Sequence, residues 1–302
     1  SLAIRVADLD IVPITGTETH NALAAYRAGY AEAAGPDLIS DSPVQFWLQQ
    51  FALSLISGDE GGARIFTALA GVALGVLPLL FRDVLGRMRA FLMALVLSLS
   101  PVLLVASRSS SGVIWTLLFA GICVWALWQY WENREKTPYA VTAFGMFGAM
   151  LLLTEPGGIV FALILLVAGG VTLILTSISA PDDDSPDQFM ATLRDFVNGL
   201  PWQAGLIAAI LTVFIVSTGM MLQPDRLSMV GAVVEGFLNG FIESPDGTPT
   251  FFPLIVALFY EPWMVLLGGG AIIWLLRRGH IDFIERFFMM WIAAAIAVIL
   301  IY

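Results

Sequence analysis

The chain has 302 residues, 58 % apolar and 13 % charged, with a mean hydropathy of +0.85 and a net charge of −10. Its apolar runs reach the roughly 20 residues needed to cross a ~30 Å hydrocarbon core, and they do not alternate, so helices in a bilayer are expected rather than a barrel. The acidic balance argues against nucleic acid as a partner, and the single cysteine, Cys123, excludes an internal disulfide and a cysteine-built metal cluster.

The opening SLAIRVADLDIVPI has the pattern of a helix tail, without the basic start and cleavage site of a signal peptide. The closing WIAAAIAVILIY runs out in mid-helix, so the stretch is expected to be a fragment of a longer protein, cut at both ends. Apolar segments lie between them at 63–82, 88–106, 111–131, 137–153, 157–179, 201–222, 251–276 and 282–302. With the partial first helix this predicts a single domain over 1–302 of about nine transmembrane helices.

The links between segments sort by charge. Arg82, Arg87 and Arg89, then Arg134 and Lys136, then Arg277, Arg278 and Arg286 fall on one side if the spans alternate. The positive-inside rule makes that side cytoplasmic, together with the acidic link 180–200 and its Asp182, Asp183 and Asp184. The loops 15–62, 107–110, 154–157 and 223–250 are then external. In the first of them, Leu23, Tyr26 and Tyr30 share a helical face, and Val44, Trp47, Phe51 and Leu55 share another opposite Gln45 and Gln49. Pro43 suits the first turn of that second helix. Two amphipathic helices lying in the membrane interface are expected.

Glu18 is the leading candidate for chemistry, as a general base toward an acceptor hydroxyl or as a ligand to a divalent cation. The same position suits a plain first-turn acid behind a Thr17 cap. His20 stands two residues on, as an assistant or a polar surface residue. Asp41 fits a cap for the helix that starts at Pro43. Arg108, in SRSSS, offers the two-pronged donor geometry that suits phosphate, or a side chain reaching for lipid headgroups. Arg27 is a second phosphate candidate or part of a solvated face. Glu155, in LLLTEPGG between two closely linked spans, is costly so near hydrocarbon unless paired, which marks it as a site residue or as a cap before Pro156. Glu261 in FYEPW has the same two readings. Gly231, Gly236 and Gly240 suggest a closely packed surface helix, and Gly268, Gly269 and Gly270 a packing or bending feature inside a span. No Walker motif, GxGxxG after a strand, CxxC or HExxH occurs.

Taken in order, these motifs resemble the GT-C class of polytopic glycosyltransferases. The nearest likeness is the prokaryotic branch labelled Agl23-like or dolichyl-phosphate-mannose-protein mannosyltransferase-like. RVADL looks like the end of that family's first helix, TGTETHNALAAY stands at its acidic motif, and SDSPVQFWLQQFALSL at its Pro-aromatic helix. LSLSPVLLVASRSSS resembles the signature closing its third span, and LLLTEPGG a Thr-Lys element. GFLNGF and FFPLIVALFYEPWMVLLGGG are similar to its later external segment and span. The resemblance implies a helical bundle with interface helices in the first external loop, in a prokaryotic cell (plasma) membrane. It implies transfer of a sugar from a polyprenyl-phosphate donor to an acceptor at the outer face by inverting attack, with the first-loop acid as base or metal ligand. Where the family usually has Asp-Glu this chain has Thr17 and Glu18, Ser109, Ser110 and Ser111 replace polar or acidic residues, and TEPGG lacks the Lys. Two functions therefore stand side by side. One is an active membrane glycosyltransferase with Glu18 as base and Arg108 on the donor phosphate. The other is a catalytically degenerate GT-C scaffold serving other membrane subunits of a larger complex. A secondary transporter fits less well, because no inverted repeat is visible.

Overall fold

The computed structural model describes residues 2–7, 9, 16–29, 38–56, 58–178, 186–242, 252–279, 281 and 283–301. Among them every regular element is helical, as long apolar runs require where backbone groups have no water to bond. In chain order these are α1 (Leu2–Val6), α2 (Gly16–Gly29), α3 (Pro43–Leu55), α4 (Glu60–Val76), α5 (Arg82–Leu85), α6 (Arg87–Leu99), α7 (Pro101–Arg108) and α8 (Val113–Glu132). There follow α9 (Thr137–Leu153), α10 (Pro156–Ile178), α11 (Pro186–Gly199), α12 (Trp202–Ser217), α13 (Ser228–Ile242), α14 (Phe252–Tyr260), α15 (Pro262–Arg278) and α16 (Phe283–Ile301). The chain divides into two units, Ser1–Ile159 with Pro201–Asn239, and Val160–Leu200 with Gly240–Tyr302.

Local chemistry sets the helix starts in the first unit. The Asp59 carboxylate accepts a 2.8 Å bond from Gly62 N and caps α4. Ser100 caps α7 in the same way, 3.2 Å from Leu103 N, with Pro101 in the first helical position. Pro43 opens α3 directly after Ser42. Helix α4 continues through a 3₁₀ turn at Leu77–Phe81 into α5, giving a 26-residue apolar stretch, Glu60–Leu85.

By length and composition three described helical stretches can each cross a bilayer: Glu60–Leu85, Val113–Glu132 and Pro156–Thr176. Three bent pairs bring the number to six if each pair is one span, with α9 shorter than these. Two of the pairs lie within one unit each, α6 with α7, bent by 57°, and α14 with α15, by 105°. The sequence expectation of about nine spans took 88–106 and 251–276 as continuous. Pro101 and Pro262 break both, because proline lacks the amide proton and displaces the residue before it from helical geometry.

Within the first unit α8, α9 and α12 pack side by side. Cys123, Ala126 and Ala143 join α8 to α9, and Phe144 meets Trp202 edge-on at 5.2 Å. Ala70, Leu74, Ile114 and Leu118 join α4 to α8. Arg5 of α1 is fully buried against the break between α6 and α7. It donates to Leu103 O at 2.8 Å, to Leu97 O at 3.2 Å and to the Ser107 hydroxyl. The carbonyls that the bend leaves over are thus met by a guanidinium. Gly71 permits this closeness: a Cβ there would lie 3.0 Å from Arg5 Nη1 and collide with Ser107.

The two first-loop helices form as expected. Ala24 and Ala25 of α2 pack with Phe46 and Leu53 of α3, Ala63 of α4 and Met229 of α13, while Leu23 and Tyr26 stand exposed. Small alanines let the backbones approach, which displaces the larger side chains outward. On α3 the expected apolar face splits. Val44 is buried, whereas Phe51 and Leu55 are 52 % and 69 % exposed and Gln45 and Gln49 face inward. Tyr30 lies outside the described residues. On α13 a Cβ at Gly236 would meet the Pro156 ring at 2.6 Å, and Gly231 faces open space.

In the second unit, Trp291 of α16 packs on Phe161 of α10 at 5.7 Å and lies near Phe287 and Phe288 of its own helix. Arg286 donates to the Thr176 hydroxyl at 3.3 Å, and Arg278 pairs with Glu285 at 3.5 Å. Asp182, Asp183 and Asp184 lie outside the described residues.

Candidate functional site

Four segments of the first unit converge on one polar cavity of about 360 Å³. The start of α2 contributes Glu18 and Asn21, and the approach to α3 contributes Asp41 and Ser42. The link from α7 to α8 contributes Ser109 to Gly112, and the turn between α9 and α10 contributes Glu155 and Pro156. The sequence placed these as separate loops on one side of the membrane. Short turns at the same end of α7, α8, α9 and α10 bring them together.

Each wall is held by its own hydrogen bonds. Asn21 donates to Asp41 Oδ1 at 3.2 Å and accepts from the Ser40 hydroxyl at 2.9 Å. Ser42 N donates to Ser40 Oγ at 3.1 Å, and the Ser42 hydroxyl donates to Thr154 O. Thr116 of α8 donates to the Thr154 hydroxyl at 2.8 Å, which passes its own proton to Met150 O at 2.9 Å. Thr154 therefore ties α3, α8 and α9 together directly beside Glu155.

The two glutamates of the cavity live in different surroundings. Glu18 is buried and forked by Arg64 of α4, with Nε 3.3 Å from Oε1 and Nη2 3.1 Å from Oε2. Ser110 N also donates to Oε1, and Arg64 Nη1 donates to Leu9 O at 2.8 Å. A bidentate arginine and a backbone amide fix this carboxylate strongly in one orientation. Glu155 lies over two glycines: a Cβ on Gly112 would sit 2.8 Å from its Oε2, and one on Gly157 3.3 Å from its Oε1. Burial, and then the neighbouring Asp41 charge, push the Glu155 carboxyl up to about 7.

The other expected residues sit elsewhere. Arg108 is half-buried at the end of α7 and donates to Ile4 O at 2.6 Å, outside the cavity lining. His20 is exposed on α2, and Arg27 occupies the last turn of that helix. Glu261 stands at the bend between α14 and α15. Thr17 heads α2. Sequence reasoning missed Arg64 and gave Asp41 only a capping role. Arg64 had a signal: an arginine one residue inside an apolar run is expensive unless it has a partner. Among the described residues no three acidic, histidine or cysteine side chains gather closely enough to hold a metal.

The fold is thus an all-helical membrane architecture with a polar cavity at one end of its first unit. Residues 40–179 match the family model described as dolichyl-phosphate-mannose-protein mannosyltransferase. No curated protein and no solved structure gives a significant match. The apolar helices support an integral membrane protein, and over residues 40–179 the chain is similar to that mannosyltransferase family. The matched stretch supplies Asp41, Ser42, Arg64, Ser109 to Gly112 and Glu155, and stops short of Glu18 at its front.

Proposed function

We propose that the chain is a GT-C-type glycosyltransferase of the Agl23-like branch, moving a sugar from a polyprenyl-phosphate donor to an acceptor at the outer membrane face. The observation that carries this reading is the cavity itself, which gathers Glu18, Asp41 and Glu155 from three separate segments. Glu155 is the residue to which we assign the acceptor proton. Raised to about 7, its carboxyl is part-ionised at neutral pH and more basic than an ordinary carboxylate, and it lines the cavity, as a general base requires. The acceptor oxygen then attacks the sugar carbon, the bond from that carbon to phosphate breaks, and the lipid phosphate leaves with its electron pair. Glu18, held by Arg64, shapes the wall and orients the Ser110 amide.

Turnover of a polyprenyl-phosphate hexose tests the assignment. Glu155→Gln is expected to lose about 10²–10⁴-fold in rate, the usual weight of a general base. An unaltered rate in Glu155→Gln with a lost rate in Glu18→Gln would return the role to Glu18. The Glu18–Arg64 fork also favours the second reading, a GT-C scaffold that serves other membrane subunits, because it engages both oxygens of the first-loop acid. Wild-type protein without turnover, co-purifying with a membrane partner, would decide for that reading.

A further inference from the structure

Gln45 and Gln49 are 1 % and 2 % exposed, and neither amide has a hydrogen-bond partner on its oxygen or its nitrogen. They lie one helical turn apart on α3, so four orphaned polar atoms share a single strip. The indole Nε1 of Trp115 on α8 is likewise buried and unpartnered. Trp115 packs in the cluster that holds Val44 and Leu48, the residues next to the two glutamines in sequence. Buried polar atoms without partners are costly to a marginally stable fold, so native proteins almost always supply such groups with partners.

Helix α3 buries both glutamines together with Phe46 and Leu53, while Phe51 and Leu55 are exposed. A polar side chain buried in a membrane bundle is expected to face something polar. The strip also begins next to the cavity. Gln45 follows Ser42 by one turn of α3, and Trp115 follows Gly112 by one turn of α8, while Ser42 and Gly112 line the cavity.

The chemistry of the strip limits its occupant. Each amide offers a carbonyl acceptor and two N–H donors, and the indole adds one N–H. No charged group is among the orphaned atoms apart from Arg5 Nε, which belongs to the α6–α7 break. A hydroxyl donates and accepts at once and matches an amide on both counts. We propose that Gln45, Gln49 and Trp115 form a slot continuing inward from the cavity that binds neutral hydroxyl groups, those of a hexose ring or of ordered water. The slot stands whether or not the cavity transfers sugars, since water alone would satisfy it.

The test uses the full chain in detergent micelles. Wild type, Gln45→Met, Gln49→Met and the double variant are unfolded by heat, alone and with polyprenyl-phosphate hexose or polyprenyl phosphate lacking the sugar. The single variants keep the result readable if the double variant does not fold. In wild type labelled with ¹⁵N-tryptophan, the Trp115 indole resonance, assigned through Trp115→Phe, is examined for magnetisation exchange with water. A hexose occupant predicts a wild-type Tm several degrees higher with the hexose lipid than with the bare phosphate, and loss of that difference in Gln49→Met. A water occupant predicts a lower Tm in the methionine variants together with an indole–water cross-peak. Variants as stable as wild type or more so, with no hexose-specific shift, overturn the proposal. So does a loss of stability without the cross-peak and without a hexose shift, because packing alone would then explain it.

Discussion

Glu155 and Glu18 line one cavity under opposite physical regimes. Glu155 has a folded value of about 7 against 4.5 for the free carboxyl, so folding favours its protonated form. Below pH 4.5 both states are protonated and no cost arises. Between 4.5 and 7 the cost of ionising it in place accumulates, and above 7 it is complete, on the order of 3 kcal/mol. Glu155→Gln is therefore expected to raise Tm at pH 8 and to leave it nearly unchanged at pH 4.5. An equal shift at both pH values would refute this account. Glu18 instead has a cationic neighbour, Arg64, on both of its oxygens. Arg64→Met strands a buried carboxylate and is expected to cost about 3–5 kcal/mol, much of which Arg64→Met with Glu18→Gln should recover. A double variant no more stable than the single one would show that Arg64 works through packing. Sequence alone made Glu18 and Glu155 candidates, because acids beside hydrocarbon stand out. It did not separate their roles, since the partners that do so, Arg64 and Asp41, lie 46 residues and over a hundred residues away in the chain.

At the level of elements, regular runs were the legible part. The run 137–153 is α9 to the residue, and Pro43 opens α3 as its first-turn position predicts. Facing was less legible on α2 and α3, because a period of 3.6 identifies two faces without saying which one meets a neighbour. Small residues decided it, as alanine on α2 admits α3 closely and leaves Leu23 and Tyr26 outside. Bends were legible only in hindsight at Ser100-Pro101, where the structure adds the compensating Arg5. Gly71 is the sensitive point of that joint. Gly71→Ala is expected to lose about 1–3 kcal/mol by overpacking. Gly231→Ala, in the open on α13, should be neutral or slightly stabilising. If both alanines behave alike in thermal unfolding, close approach at Gly71 is not what the glycine provides.

Across the first unit as a whole, the two ends differ in charge. Cavity residues collect at one end of α8 and α9, whereas Arg134 and Lys136 sit at the far end of α8, a helix of 20 residues that spans about 30 Å. The positive-inside rule then predicts that the cavity faces outward. Cys123 is the sole cysteine, so Cys123→Ser gives a background free of thiols. In it Ser111→Cys should react with an impermeant maleimide on intact cells and Glu135→Cys only after lysis. The opposite pattern would reverse the topology and place any chemistry on the cytoplasmic side.

Thr154 joins these scales. It accepts from Ser42 at the head of α3 and from Thr116 of α8, and its next neighbour in the chain is the acid with the raised proton affinity. Helix α3 carries Phe51 and Leu55 on its exposed side, so a change in its tilt is expected to reach Glu155 through Thr154 and through Asp41 beside the helix start. Bilayer thickness is then expected to alter proton uptake in the cavity. The protein would register the mechanical state of its membrane as a change in acidity, and the pH profile of Glu155 should move with acyl length in reconstituted vesicles, a coupling that Ser42→Ala should weaken.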